Sequence, residues 1–291
     1  MAVAVSGSLA YDTRFAFEGR FEEVLEKAGR PNFTCQSRTV RTDFGGCAGN
    51  IAYGLKLLGQ EPVILSAAGG EDFEAYERHL AALKITTKGI RVLAGRRTAC
   101  ASITTDALGR QITTFCAAAL DEADATPLPL EGVTLAILTA NPAPLMRFHE
   151  EAFVEAAVPF VFDPGPSVFY LDKADLARFA RRAFCSIMNE TEWRAFEKAL
   201  GTTRGKALAL CGRAAVTRGE KGLTLHDGEK ALDIPAMRVA GPNYVVGAGD
   251  ALRAGLLAKL SEGAALEDAL AFGTRVAASK ILHDGAQGYR L

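Results

Sequence analysis

Apolar runs of strand length recur along the chain at residues 3–5, 63–65, 135–138, 160–162, 183–188, 214–217 and 223–225, several of them bounded by Gly, Pro, Asp or Asn. Continuous apolar character over so few residues suits strands buried on both faces. Between many of these runs, apolar positions recur with helical spacing, at 50–58, 73–83, 145–157, 176–182, 190–200, 250–260 and 266–282. Strand followed by helix, repeated, predicts an α/β fold: a doubly wound, mostly parallel sheet with helices on both faces. Two stretches break the rhythm. Residues 13–43 are polar, aromatic and rich in arginine, while 98–105 and 111–115 alternate like two strands of a hairpin around 107–110. Both are expected to form a small β lid inserted into the core. The α/β core then comprises 1–12, 44–97 and 117–291, and the lid 13–43 and 98–116. Such an insertion covers the strand ends, where α/β sheets bind ligands.

Composition narrows the partner. The chain has 291 residues, 49% hydrophobic and 23% charged, which gives ample core and excludes a disordered, collagen-like or membrane-spanning chain. Lys and Arg total 33 against 34 Asp and Glu, a net charge of −1, so no basic field draws the protein to nucleic acid or an anionic membrane. A small molecule is the expected partner. Six cysteines without a C-x-x-C pair look like reduced thiols, and residues 1–5 lack the basic start of a signal peptide, so a cytoplasmic location is expected.

The sharpest motif is the turn Gly241-Pro242-Asn243-Tyr244-Val245-Val246-Gly247-Ala248-Gly249-Asp250, which runs into an apolar helix containing Arg253 and Gly255. Backbone amides of Gly247, Ala248 and Gly249 at a helix start suit an anion. Asp250 beside them suits a general base in phosphoryl transfer, or is simply a helix cap. The second motif is Asp43-Phe44-Gly45-Gly46-Cys47-Ala48-Gly49-Asn50. A dinucleotide fingerprint fails there, because Phe44 stands where the first glycine belongs and no apolar strand precedes it. A nucleophile elbow centred on Cys47 fails because residues 38–43 are too polar for a central strand, leaving Cys47 as a small filler. What survives is a substrate-binding helix start, with Asn50 offering a donor and an acceptor to hydroxyls.

Asn189 and Glu192 follow a buried run and so lie at a strand's carboxyl end, where a carboxylate organises Mg²⁺ through water or an acidic first turn caps a helix. Thr217, Gly219 and Gly222 form a hairpin turn that, beside an anion hole, also borders a nucleotide. The four histidines lack metal-ligand spacing. His149 with its acidic neighbours reads as a solvated helix face, as do Arg178, Arg181 and Arg182.

Taken in chain order, these pieces resemble the ribokinase-like (PfkB) family of carbohydrate and nucleoside kinases over essentially the whole chain. Gly45-Gly46 with Asn50, Asn189 with Glu192, Thr217 to Gly222, and Gly247 to Asp250 match its signatures. Residues 6–12 look like the family's first strand, whose terminal Asp, here Asp12, grips sugar hydroxyls. Residues 44–53, 111–115, 162–165 and Lys280-Ile281 resemble bacterial adenosine-kinase-like members. The resemblance implies ATP with Mg²⁺ as cofactors and transfer to the 5′-hydroxyl of adenosine. Asp12, Gly45, Gly46 and Asn50 would hold the ribose, and Phe115 would either stack on the base or serve as lid core. Asn189, Thr217, Gly219 and Gly222 would border the nucleotide, and Glu192 would meet Mg²⁺ through water. A sugar kinase and a non-catalytic nucleoside-binding paralogue are the alternatives. A homodimer through the lid is expected. Two positions depart from the family pattern. Tyr244-Val245-Val246 replaces a polar turn that in relatives helps to hold K⁺, so the rate is expected to be indifferent to K⁺. Cys116-Ala117-Ala118-Ala119 stands where related nucleoside kinases have a Pro-Gly turn.

Overall fold

In the first strand, β1 (Ala2–Ser6), Val3 and Val5 face one apolar layer and Ala4 faces the other. That is why its run is uninterrupted: a strand buried on both faces has no side to give to water. The computed structural model describes residues 1–28, 33–123, 126–241 and 244–291. Residues 29–32 of the expected lid segment, 124–125 of the expected core segment, and Pro242 and Asn243 of the glycine-rich turn lie outside the described residues.

The further strands are β2 (Ala10–Ala16), β3 (Val40–Gly45), β4 (Glu61–Gly69), β5 (Ile90–Leu93), β6 (Ala99–Thr105) and β7 (Gln111–Cys116). They continue with β8 (Val133–Leu138), β9 (Phe160–Phe162), β10 (Cys185–Asn189), β11 (Arg213–Thr217), β12 (Leu223–Asp227) and β13 (Lys230–Ile234). The helices are α1 (Phe21–Ala28), α2 (Cys47–Leu57), α3 (Phe73–Ala82), α4 (Ala143–Glu155), α5 (Lys173–Arg182), α6 (Glu190–Leu200), α7 (Arg204–Cys211), α8 (Ala248–Ser261) and α9 (Leu266–Lys280).

Among the described residues, nine strands form one sheet in the order β13-β12-β11-β10-β9-β8-β1-β4-β5. It is parallel from β11 to β5; the β11–β12 and β12–β13 pairs are antiparallel, so β12 alone runs against the others. Helices α2, α3, α8 and α9 cover one face through Ile51, Leu55, Tyr76, Leu80, Leu256 and Leu270. Helices α4 to α7 cover the other through Met146, Phe153, Phe179, Trp193, Phe196 and Cys211. The expected doubly wound, mostly parallel sheet is what forms.

The second sheet has the order β3-β2-β6-β7, with β2 and β6 parallel and the outer pairs antiparallel. It begins at Ala10, so Asp12 lies within a lid strand and not at the end of the first core strand. The cause is the turn at 7–9, which ends β1 at Ser6 before the chain re-enters extended structure. Arg14 on β2 binds Asp43 on β3 and Asp284 near the carboxyl end, and Arg41 binds the same two carboxylates, tying this sheet to the core.

Two expectations of solvated charge are corrected. His149 is buried, bonded to Ser6 Oγ at 2.7 Å, and burial lowers its imidazole to about 3. Glu150 is fully buried and receives Arg178 and Arg182 from the neighbouring α5, so these arginines are helix-to-helix ties. No helix among the described residues is long and apolar enough to cross a membrane, and the six cysteines are free.

Candidate active site

Two helix starts converge on one place. Helix α2 begins after Gly46, whose φ of 83° and close approach to the Ser8 carbonyl leave no room for a Cβ. The first amides of α2 are already satisfied: Cys47 N donates to Ser8 Oγ at 3.2 Å and Ala48 N to Ser8 O at 3.0 Å. Helix α8 begins after Gly247, at φ 78°, and has no side-chain cap. Its Ala248 amide donates to Val245 O at 3.0 Å. Within the expected trio, the Ala248 N–H is therefore already bonded inside the turn. The amides of Gly249 and Asp250 follow in the first turn, where an α-helix supplies no carbonyl partner and carries partial positive charge.

The two helices are joined by side chains from those first turns. Asn50 Nδ2 donates to Asp250 Oδ2 at 2.7 Å. The amide orientation is fixed from behind: Gln287 Nε2 donates to Asn50 Oδ1 at 3.0 Å and to the Tyr76 hydroxyl at 2.9 Å, and Tyr76 donates to Gly45 O at 2.7 Å. Burial pushes the Asp250 carboxyl up to about 7, with Asn50 and Arg253 pulling it down and Asp163 and Asp12 pushing it further. Asp12 itself is raised to about 6, first by burial and then by Asp43, with Arg14 opposing. A carboxyl that ionises near neutral pH and is held by one donor is suited to accept a proton from a hydroxyl. Gly45 packs directly on the Asp12 carboxylate, so Asp12, Gly45, Gly46, Asn50 and Asp250 form one polar wall.

Cys47 borders this wall, but burial, with Asp250 and Asp163 adding to it, raises its thiol well above the usual value. It remains protonated, which disfavours a thiolate nucleophile. The strand β3 that precedes it is polar because it is a lid edge strand.

On the far side of the α8 start lies a cavity of about 820 Å³. Thr217, Gly219 and Gly222 line it together with Ala248, Gly249 and Arg253, and Met237, Val239, Leu252 and Ile281 give it apolar walls. Asn189 pairs with Thr217 across β10 and β11. Asn189 Oδ1 accepts the amides of Thr191 and Glu192, both at 2.9 Å, and Glu192 Oε2 accepts the Asn189 amide at 2.8 Å, a complete capping box. The helix-cap reading of these two residues therefore holds, and one oxygen of Glu192 stays outside the box. Burial and Asp163 raise the Glu192 carboxyl, with Arg253 opposing. Phe115 is half-exposed on β7 opposite Ala101, and no bond or ring contact among the described residues joins it to Asp12, Asn50 or Asp250.

Residues that spacing alone did not single out complete the site. Arg253, one turn after Asp250, makes a buried two-pronged pair with Asp163 at 2.6 and 2.7 Å, and Thr139 donates to the same carboxylate. The available signals were the i, i+3 relation of Arg253 to Asp250 and the position of Asp163 just after an apolar run. Tyr76 and Gln287 carried none.

Comparison with known proteins places the chain in a family and a fold. The family described as pfkB family carbohydrate kinase matches residues 4–290. A nucleoside kinase of Methanocaldococcus jannaschii is 29% identical over 266 residues, 90% of this chain and 87% of that protein. The structure of Burkholderia thailandensis nucleoside kinase in complex with inosine is 33% identical and superposes with a TM-score of 0.89 over 99% of this chain and 93% of that one. The same kinase in complex with ADP-inosine superposes at 0.87, and in ligand-free form at 0.80. This chain belongs to the PfkB family of carbohydrate kinases, has the ribokinase-like fold, and is a phosphotransferase acting on a hydroxyl group.

Proposed function

We propose that the protein transfers the γ-phosphoryl group of ATP to the 5′-hydroxyl of adenosine, giving AMP and ADP. The observation that carries this reading is the Asp250 carboxyl, held by Asn50 between a polar wall on one side and uncapped helix amides with a nucleotide-sized cavity on the other. In this reading the ribose lies against Asp12, Gly45, Gly46 and Asn50. Asp250 takes the hydroxyl proton as the oxygen attacks, and the Gly249 and Asp250 amides with Gly247 in the turn face the transferring group. The apolar walls around Met237, Val239 and Ile281 suit an adenine ring, with Thr217, Gly219 and Gly222 along the phosphates. Phe115 on the lid is assigned to the base of the nucleoside.

The donor set suits Mg²⁺ held mainly by phosphates and water. The free oxygen of Glu192 is available to a hydrated ion, Asn189 is occupied by its cap, and no group of three or more candidate ligands occurs among the described residues. Bound with ATP, Mg²⁺ neutralises part of the phosphate charge. A cytoplasmic enzyme that dimerises through the exposed lid edge bearing Ile112 and Phe115 completes the reading.

Inosine is the second reading, favoured by the inosine complexes of the Burkholderia enzyme. ADP release measured with adenosine, inosine, ribose and fructose separates these. Adenosine is expected to give the highest kcat/KM. A higher value for inosine transfers the assignment to that nucleoside, and a higher value for a sugar overturns the nucleoside reading.

A further inference from the structure

Lys280, the last residue of α9, is fully buried, yet no carboxylate pairs with it among the described residues. Its ammonium donates instead to two backbone carbonyls, Tyr244 O at 2.7 Å and His283 O at 3.1 Å. An ammonium removed from water needs such partners, and two neutral ones compensate incompletely. The position explains what the cost supports. Tyr244 belongs to the turn that ends in Gly247, and its own amide donates to Ile281 O at 2.8 Å, so the turn is tied to the end of α9 in both directions. His283 leads into Gly285 and Ala286, and Gly247 packs directly on Ala286. The ammonium thus bridges the two backbone segments that frame the start of α8. A Cβ placed on Gly247 would lie 3.6 Å from Lys280 Cε.

We propose that Lys280 is a positioning residue that acts as a tethered cation: its ammonium occupies the carbonyl site behind the α8 amides, fixes the turn, and makes phosphoryl transfer independent of free monovalent cations. The inference rests on the reading of Gly249 and Asp250 as the phosphoryl site. The Tyr244 and His283 carbonyls already accept from the ammonium, and Tyr244, Val245 and Val246 offer no carboxylate to recruit a free ion. The fixed charge adds to the helix-terminal field on the side away from the ligand, where it attracts phosphate without blocking it.

The charge has a pH limit. Burial lowers the Lys280 ammonium to about 8; Asp284 and Asp250 favour the cation and Arg14 on β2 opposes it. The cation is present below that value and is lost as pH rises through it.

The test begins with the wild-type enzyme in KCl, NaCl, NH₄Cl and tetramethylammonium chloride at constant ionic strength. Equal kcat, within about twofold, and a kcat that declines above about pH 8 are expected. Selective stimulation by K⁺ overturns the proposal, and so does a flat alkaline limb. Lys280→Ala is expected to lower kcat by about 10²-fold, the scale of removing one oxyanion-hole donor, with nucleoside KM little changed. Added NH₄⁺ should restore at least tenfold in that variant and nothing in Lys280→Met, whose side chain fills the space. Normal turnover in either variant, or a loss in Lys280→Ala that NH₄⁺ leaves untouched, overturns the role of the charge. If neither variant folds, the wild-type salt and pH series decides alone. Full turnover in Asp250→Asn overturns the phosphoryl-site reading itself, whereas an inactive Asp250→Asn beside a fully active Lys280→Met overturns only the role of Lys280.

Discussion

An aspartate in an unfolded chain ionises near 3.8, and Asp250 in the fold ionises at about 7 because it is buried. The folded protein therefore holds the proton more tightly, and stability falls as pH rises between those values. Above pH 7 the charged Asp250 opposes folding, and below about 4 it has no such effect. Asp250→Asn keeps the acceptor for Asn50 and removes the charge, so its melting temperature should exceed that of wild type at pH 8, with the gain shrinking towards pH 4. The same variant should lose about 10²–10⁴ in kcat, the contribution of a positioned base. Melts at pH 5 and pH 8 beside steady-state rates check both. Wild-type turnover would reduce Asp250 to a helix cap. Asp250 and Asn50 could be singled out from the sequence because each follows a glycine turn that opens an apolar helix. The residues that hold them could not, since Gln287, Tyr76 and Asp163 reach the site from other parts of the chain. His149 and Glu150 hide their burial for the same reason: a buried polar side chain resembles a solvated one until its partner from another element is known.

Elements show a similar division. Strands buried on both faces announce themselves as apolar runs, so β1, β4 and β8 to β12 stand out. The polar lid strand β3 and the edge strand β13, whose first four residues are exposed, have no such signature. Helix α7 is short and only weakly two-sided, so its sequence carries little helical pattern. Packing between helices was also hidden, because the meaning of a glycine depends on what lies across from it. In α8, Gly255 is pressed against Gly273 and Val276 of α9, so the two backbones approach closely. Gly255→Val should cost about 1–3 kcal/mol through overpacking. By moving α9, which carries Thr274, Ala277 and Ala278 into the cavity wall, it should also raise KM for ATP. A denaturant titration with ATP kinetics measures the two together. An unchanged midpoint would mean that α9 can shift freely.

At the scale of the whole molecule, the two faces of the main sheet are assembled from different parts of the chain. The layer containing Trp193, the only tryptophan, is built mostly from residues between Val133 and Val216, which are near neighbours in sequence. The other layer joins α2 to α8, and its site closes through Asn50 and Asp250, 200 positions apart. Contacts between distant segments form slowly because the long intervening loop must be ordered first. After dilution from denaturant, Trp193 fluorescence should therefore recover before kinase activity, and simultaneous recovery would show that both layers form in one step. During synthesis the order is enforced by the ribosome, which delivers the amino-terminal segments first. A nascent chain that stops short of Gly247 carries the segments of the Trp193 layer in full, while the apolar face of α2 still lacks its partner. Until α8 arrives, that face is open to chaperones and to other unfinished chains.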